Sequence, residues 1–182
     1  ALFAVCVITQ RGRYRYHAAV TLAVLTLVFT VWANAARFER GTLHVTALDV
    51  GQGESVAFIS HGHGALVDCG SSNSYIGAGG VAGDYFSSAG IRSLDAVVLT
   101  HYHADHANGL AELFSRMRVD ALYLPDIAEE EGEKTAVLAL AERYGVPVRY
   151  VTEETTAVLG GAKLTVYPPV GEGDANELGL TV

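Results

Sequence analysis

The first 40 residues contain an apolar stretch that differs from everything after it. From Ala18 to Ala36 the chain has 19 residues without a charge. As a helix rising about 1.5 Å per residue, this stretch is about 28 Å long, which is close to the hydrocarbon thickness of a bilayer. Arg15 and His17 precede it and Trp32 lies near its far end, as is typical of interfacial anchors. The pattern predicts a membrane-spanning helix.

A signal peptide or a buried core helix would also account for this stretch. A second apolar run, Ala1 to Ile8, precedes the basic segment from Arg11 to Arg15. Two apolar runs joined by a short basic loop favour the end of one membrane helix followed by a complete one. We therefore assign residues 1–40 to a membrane segment. The basic loop favours a cytoplasmic position, which places the following domain on the outer side of the cell membrane.

After Gly41 the pattern changes to short strands followed by alternating strands and helices. Leu43 to Val50 alternates, and Ser55 to Ser60 and Ala65 to Asp68 flank a glycine-containing hairpin loop. Leu94 to Thr100 is nearly continuously apolar, as expected for a strand covered on both faces. Further along, the pattern predicts helices within 79–90, from about 108 to 117 and up to 144, and strands at 121–124, 148–151 and 163–167. This order predicts a layered α/β domain over residues 41–182.

The predicted domain is acidic. The chain has 12 basic and 20 acidic residues. Five of the basic residues and one of the acidic residues lie in residues 1–40, which leaves seven basic and 19 acidic residues in the domain. Such a domain lacks the positive field that non-specific nucleic-acid binding usually needs. Cys6 and Cys69 are the only cysteines, and we expect no disulfide between them, with Cys69 a small buried residue.

The residues that carry chemistry follow the strand that ends at Thr100. His101, His103, Asp105 and His106 fall within six residues, in a loop before a predicted helix. Imidazole nitrogen and carboxylate oxygen ligate zinc at about 2.0–2.2 Å. We expect His101 and His103 to converge on one ion and Asp105 and His106 to face a second. A histidine-rich turn without metal is the alternative, but no simple packing role uses three imidazoles together. The loop predicts a divalent metal site, with zinc favoured and manganese also suitable.

This loop resembles the His-x-His-x-Asp-His motif of the metallo-β-lactamase superfamily. The resemblance implies an α/β fold, the first half of a metallo-β-lactamase αβ/βα sandwich, with two metal ions and hydrolase activity. Asp68, at the end of the strand from Ala65, matches that family's first motif. The match implies that Asp68 supports a ligand imidazole and forms the catalytic set with Asp105. A plain turn aspartate is the alternative.

A narrower resemblance concerns Leu48 to Ser55. This segment is similar to the opening of the hydrolase-like domain of ComEC-type DNA-internalisation competence proteins, in which the domain accompanies membrane helices. It implies hydrolysis of DNA phosphodiesters in a membrane uptake apparatus, with other competence proteins as partners. The chain departs from that family at Glu54, where aspartate is usual, and at Gly179, where serine is common. His103 makes its metal loop more complete than in many members.

Several residues near the motifs have no settled role. Asp49 and Gln52 either line the site and bind substrate or only brace the turn, whereas Gly51 and Gly53 indicate a close approach of backbone. The pair at residues 61 and 63 also has metal-like spacing, but it lies in the hairpin loop at the end of the sheet away from the site. We interpret that pair as part of a solvated turn.

The ligand set is incomplete for a two-metal enzyme. No histidine follows His106, the chain begins with alanine, and its only methionine is Met117. We therefore expect a fragment, truncated at its C-terminal side, that binds metal poorly and is inactive alone. A metallo-β-lactamase-fold hydrolase with another substrate, or a non-catalytic module that helps to assemble a channel, would also be compatible with the sequence.

Overall fold

The computed structural model describes residues 15–36, 41–127, 132–170 and 179–182. The chain divides into two compact units, Ala1–Glu39 and Arg40–Val182. The predicted apolar run at 1–8 and most of the basic segment after it lie outside the described residues.

The described part of the first unit is one helix, α1 (Arg15–Ala36). Its 22 residues correspond to a length of about 33 Å. Within it, Tyr16–Ala33 has a mean hydropathy of 1.7 and none of it is buried, unlike the core helix of a soluble protein. The hydroxyls of Thr26 and Thr30 donate to carbonyls four residues earlier, at 2.8 and 2.7 Å. By length and composition α1 is able to cross a membrane.

A six-stranded sheet forms the centre of the second unit. Its order is β1-β2-β3-β5-β7-β8. The pairs β1–β2 and β2–β3 are antiparallel, and the remaining pairs are parallel. The elements are β1 (Leu43–Ala47), β2 (Val56–Ser60), β3 (His63–Val67), α2 (Ala78–Ser88), β4 (Ser93–Leu94), β5 (Ala96–Val98), α3 (Ala104–Ala107), α4 (Leu110–Arg116), β6 (Arg118–Val119), β7 (Leu122–Pro125), α5 (Glu133–Tyr144), β8 (Val148–Val151), β9 (Thr155–Leu159) and β10 (Ala162–Val166).

Both faces of the central strands β3, β5 and β7 are covered, as strands with buried residues on both sides require. On one face, alternate residues such as Val67 and Val98 pack against the antiparallel hairpin β9–β10, through Leu159 and Val166. The opposite face is turned towards α2, because a side chain on Gly64 of β3 would meet the Phe86 ring at 3.1 Å. The observed architecture is the layered α/β fold that the sequence predicts.

Three details differ from the sequence prediction. The strand expected over Leu94–Thr100 is divided, because Asp95 turns to bond with Gly64, and β4 pairs with β6 in a separate small sheet. The helix expected to extend to Met117 ends at Arg116, and Met117 is extended and buried. Strand β9 has no counterpart in the sequence prediction, since its apolar run, from Ala157 to Leu159, is short.

Candidate metal centre

Asp68 is the buried foundation of the site. It follows β3 directly and is fully buried, with φ at +56°, a conformation that is uncommon outside glycine and often found at functional sites. Its Oδ1 accepts the backbone N–H of Thr100 at 2.7 Å. Its Oδ2 accepts the Thr100 hydroxyl at 2.7 Å and His106 Nδ1 at 2.9 Å. Both oxygens are occupied, so Asp68 is placed to support ligands rather than to be one.

The four predicted ligands come together above Asp68. The loop follows β5, and His103 is the N-cap residue of α3. The ring centroid of His101 lies 4.9 Å from that of His103 and 3.9 Å from that of His106. Ligand atoms of His101, His103 and Asp105 all lie within 4.8 Å of one another. Asp105 Oδ2 is 3.9 Å from His106 Nε2, so Asp105 lies near His106 as well as in the group with His101 and His103.

The residues fit a divalent metal, as the His101 side chain shows. Its exposed fraction is only 7%. Its Nδ1 lies 3.0 Å from the Thr100 hydroxyl, but its buried Nε2 has no hydrogen-bond partner among the described residues. Buried polar atoms in native structures are nearly always bonded, so an unpaired nitrogen beside other nitrogen and oxygen ligands calls for a ligand of its own. A metal ion held by His101, His103 and Asp105, whose ligand atoms lie together, would supply it.

The two buried imidazoles of the site are tuned in opposite directions. Burial lowers the pKa of His101 below the ordinary 6.5, and the neighbouring His106 reinforces that shift. For His106 burial also acts to lower the pKa, but the hydrogen bond to Asp68 and the charges of Asp68, Asp105 and Glu54 outweigh it, so its pKa is raised. His101 is therefore neutral and ready to ligate, whereas metal must displace a more tightly held proton from His106.

Tyr102 anchors the loop between its first two histidines. Its ring is 2% exposed, and its hydroxyl donates to the carbonyl of Pro125 at the end of β7 at 2.7 Å. The Nζ of Lys134 on α5 lies 5.8 Å from the ring centroid.

Glycines let three backbone segments stack beneath the loop. A Cβ on Gly53 would lie 2.3 Å from the Gly70 oxygen, and one on Gly70 would lie 2.3 Å from the carbonyl carbon of Asp105. The Glu54 N–H donates to the Asp105 oxygen at 3.1 Å, and the Cys69 N–H donates to the His106 oxygen at 2.7 Å. The close approach expected at Gly53 is confirmed, and Gly70, which the sequence did not single out, has the same role.

Asp49 and Gln52 are exposed and are not brought together with the metal-binding residues. The Gln52 carbonyl accepts the Ser72 N–H at 2.6 Å, and Gly51 between them has φ at +73°. A cavity of about 500 Å³ beside the site is lined by Glu54, Thr100, His101 and His106, with an apolar wall that includes Phe58, and not by Asp49 or Gln52. The backbone contact of Gln52 matches the bracing alternative for that residue.

The other residues with candidate chemistry lie apart from the site or remain inert. His61 and His63 lie at the start of β3, whereas Asp68 lies beyond its end. Both are exposed, and they bond to Ser60 at 3.1 Å and to Asp95 at 2.8 Å, which agrees with the solvated turn expected there. Burial, with smaller contributions from nearby carboxylates, raises the pKa of Cys69 to about 12, which keeps it a thiol.

Sequence reasoning missed two functional candidates, Thr100 and the carboxylate of Glu54. Glu54 Oε2 lies 4.0 Å from His106 Nδ1, and its oxygens belong to a second potential ligand group with Asp68 and His106. The only signals in the sequence were their positions, directly before the metal loop and directly after the glycine pair.

Comparison with known proteins agrees with this arrangement. The family model described as the metallo-beta-lactamase superfamily matches residues 48–180. The chain belongs to the metallo-β-lactamase superfamily. This metallo-β-lactamase domain includes the loop, Asp68 and the sheet that carries them. No curated protein matches the chain significantly.

Several solved structures are similar to the chain. The chemotaxis sensor ODP, in a peroxy diiron form, has 15% identity and a TM-score of 0.49 over 72% of this chain and 52% of its own. The metallo-beta-lactamase fold protein YhfI from Bacillus subtilis has 20% identity and a TM-score of 0.46, over 69% and 50%. A diphosphatase of the PhnP family has 21% identity and a TM-score of 0.34, over 63% and 47%. The chain spans about half the length of these proteins, and none of the similarities bears on its substrate.

Proposed function

We propose that this chain is the hydrolase domain of a membrane-anchored, ComEC-type protein that hydrolyses DNA phosphodiesters with metal-activated water. The observation that carries the hydrolase is the grouping of His101, His103 and Asp105 beside His106, with a buried Nε2 on His101 that is unpaired within the described ranges. A bound divalent ion lowers the pKa of water from 15.7 towards about 7 and so supplies a nucleophile at neutral pH.

The chain's own residues prepare the site for that chemistry. Asp68 holds the proton of His106 on Nδ1 and so leaves its Nε2 free to ligate. The carboxylate of Asp105 is 39% exposed and faces both the ligand cluster and the surroundings, as a ligand close to substrate would. The 500 Å³ cavity gives room for a substrate group beside His101 and His106. One wall of the cavity is apolar and includes Phe58.

The DNA substrate is supported by a different observation, the similarity of Leu48–Ser55 to ComEC-type domains. The apolar helix α1 precedes the domain, as that similarity leads one to expect. The acidic surface opposes DNA, but bound metal ions would be the largest local positive charges and would offset it at the site. In this proposal the domain lies on the outer side of the cell membrane, works with other competence proteins, and uses zinc or manganese, with two ions bound.

The experiment is a DNA cleavage assay on the full-length protein, purified in detergent, with zinc or manganese and after chelation. We expect Asp105→Asn to lower cleavage at least about 100-fold, because it removes a metal ligand, and chelation to abolish it. His63→Gln, at the other end of β3, is the matched control and should cleave normally. Cleavage that survives both chelation and Asp105→Asn would contradict a metal-dependent hydrolase. Metal binding without any DNA cleavage in the wild type would contradict the DNA substrate.

A further inference from the structure

Asp68 reaches two of the metal-loop imidazoles by two different routes. It bonds to His106 Nδ1 directly, at 2.9 Å. It reaches His101 through the hydroxyl of Thr100, which lies 2.7 Å from Asp68 Oδ2 and 3.0 Å from His101 Nδ1. The backbone N–H of Thr100 also donates to Asp68 Oδ1, at 2.7 Å, so Thr100 is held to the carboxylate at two points.

The direction of these hydrogen bonds determines where the proton of His101 lies. A threonine hydroxyl has one hydrogen, and here it is donated to Asp68 Oδ2. The hydroxyl oxygen of Thr100 can therefore only accept from His101 Nδ1, which must carry the hydrogen. The lone pair of the neutral ring then lies on Nε2, the buried nitrogen that is unpaired in the described part of the chain.

We propose that Thr100 is a positioning residue that fixes His101 as its Nδ1–H tautomer and so presents Nε2 to the metal. The tautomer of a histidine is set by the bond that its other ring nitrogen makes. Without the Thr100 hydroxyl nothing on the Nδ1 side would require a hydrogen there, and the ring would be able to place it on Nε2, where it blocks ligation. The relay matters for catalysis only if the proposed metal-dependent function holds, but the tautomer is a property of the metal-free chain.

Threonine suits this position for a second reason. Its β-branched side chain has few χ1 rotamers, so the hydroxyl stays between the carboxylate and the imidazole. Valine has nearly the same shape without the hydroxyl, and serine keeps the hydroxyl. These two substitutions separate the hydrogen bond from the packing.

The test compares Thr100→Val, Thr100→Ser and the wild type in the 182-residue chain. The control is Thr46→Val, which removes another half-buried hydroxyl, 2.7 Å from the Tyr85 hydroxyl and away from the site. Each chain is labelled with 15N-histidine and kept metal-free in detergent micelles. Long-range proton–nitrogen NMR spectra at about pH 9, above the ordinary imidazole pKa of about 6.5, report each tautomer. We expect His101 as Nδ1–H in the wild type, Thr100→Ser and Thr46→Val, and a shift towards Nε2–H in Thr100→Val.

His106 provides an internal control in the same spectra. It bonds to Asp68 without Thr100, so it should keep its Nδ1–H tautomer in Thr100→Val. If His101 keeps its tautomer in Thr100→Val, the relay is wrong. If both histidines change, or the chain unfolds while Thr100→Ser does not restore His101, Thr100 is structural and the proposal is also wrong.

A metal titration of the full-length protein gives a second measure. We expect Thr100→Val to lower zinc affinity about 10- to 100-fold, the usual effect of losing a group that supports a ligand. Thr100→Ser should restore most of it, and Thr46→Val should have no effect. Unchanged affinity in Thr100→Val would overturn the proposal. If the tautomer and the affinity behave as expected but the wild type cleaves no DNA, the proposed substrate fails and the role of Thr100 stands.

Discussion

A pair of histidines separated by one residue lies near each end of strand β3: His61 and His63 at its start, and His101 and His103, in the loop after β5, beyond its other end. The two pairs differ in what lies behind the rings. At the start of the strand, His63 bonds to Asp95, and the side chain of His63 is 50% exposed. There the Gly160–Gly161 turn fits tightly against His61, since a Cβ on Gly161 would lie 2.4 Å from its Cε1. These histidines hold a turn.

Beyond the other end of the strand, His101 and His103 lie above a carboxylate that is fully buried. Asp68 has no exposed surface and accepts three hydrogen bonds. His101 Nε2 has no hydrogen-bond partner among the residues that the structure describes. The spacing of two histidines is the same at both ends, so spacing alone does not define a metal site. What defines the metal site is a buried hydrogen-bond acceptor behind the rings together with an unpaired ring nitrogen in front of them.

The strongest way to break this comparison is to remove the carboxylate at each end in turn. Asp68→Ala leaves three donors without an acceptor, each costing about 1–3 kcal/mol, so we expect several kcal/mol of destabilisation. Metal affinity should fall at least about 100-fold. Asp95→Ala, the matched control, should cost less than Asp68→Ala, because among the described residues the Asp95 side chain bonds only to the exposed His63 ring and to the Gly64 N–H. Urea denaturation and zinc titration of the full-length protein measure both effects. Equal effects at the two ends would contradict the distinction.

A second test adds a methyl group where backbones touch. Gly70→Ala would press against Asp105 in the metal loop, whereas Gly79→Ala would press against the Gly109 oxygen, where α2 passes the chain before α4. In both variants the free energy of unfolding should fall by about 1–3 kcal/mol through overpacking. Only Gly70→Ala should weaken zinc binding beyond its loss of stability, by about tenfold or more. If Gly79→Ala weakens zinc binding as much, the backbone stack is not specific to the site.

The pH dependence of stability separates the two buried imidazoles. The folded-state pKa of His106 is raised above 6.5, so its protonation stabilises the metal-free fold; this stabilisation is fully present below 6.5 and is lost as pH rises through the raised pKa. His101 has a lowered pKa, so its contribution is lost as pH falls from 6.5 towards that lowered value. In urea denaturation, the difference between wild type and His106→Gln should therefore shrink with rising pH. A difference that grows would contradict the bond to Asp68.

The smallest effect is expected for the histidines that hold the turn. The double variant His61→Gln and His63→Gln should change zinc affinity less than about twofold and stability by less than about 1 kcal/mol, as for partly exposed polar contacts. A tenfold loss of zinc affinity would show that metal binding is not confined to the loop at 101–106.

The metal ligands could be predicted from sequence because they are local. His101 to His106 lie within six residues, and the alternation and apolar runs around them determine the strand before and the helix after. The support could be predicted only in part, because it depends on contacts distant in sequence. Thr100 bonds to Asp68, which is 32 residues away in the sequence. No local sequence pattern predicts which hydroxyl will bond to a carboxylate. The break at Asp95 was missed for the same reason, since its partner is on β3.

Tyr102 occupies a position for which the metal motif specifies no residue, yet its contacts constrain which residue fits there. Its ring fills the space under the loop and its hydroxyl is tied to β7 through Pro125, so a small residue there would leave a void costing about 3–5 kcal/mol. The imidazoles of His101 and His103 would lose the residue that anchors the loop between them. Because the Nζ of Lys134 on α5 lies 5.8 Å from the centroid of the same ring, this one side chain is a packing partner of both the metal loop and α5.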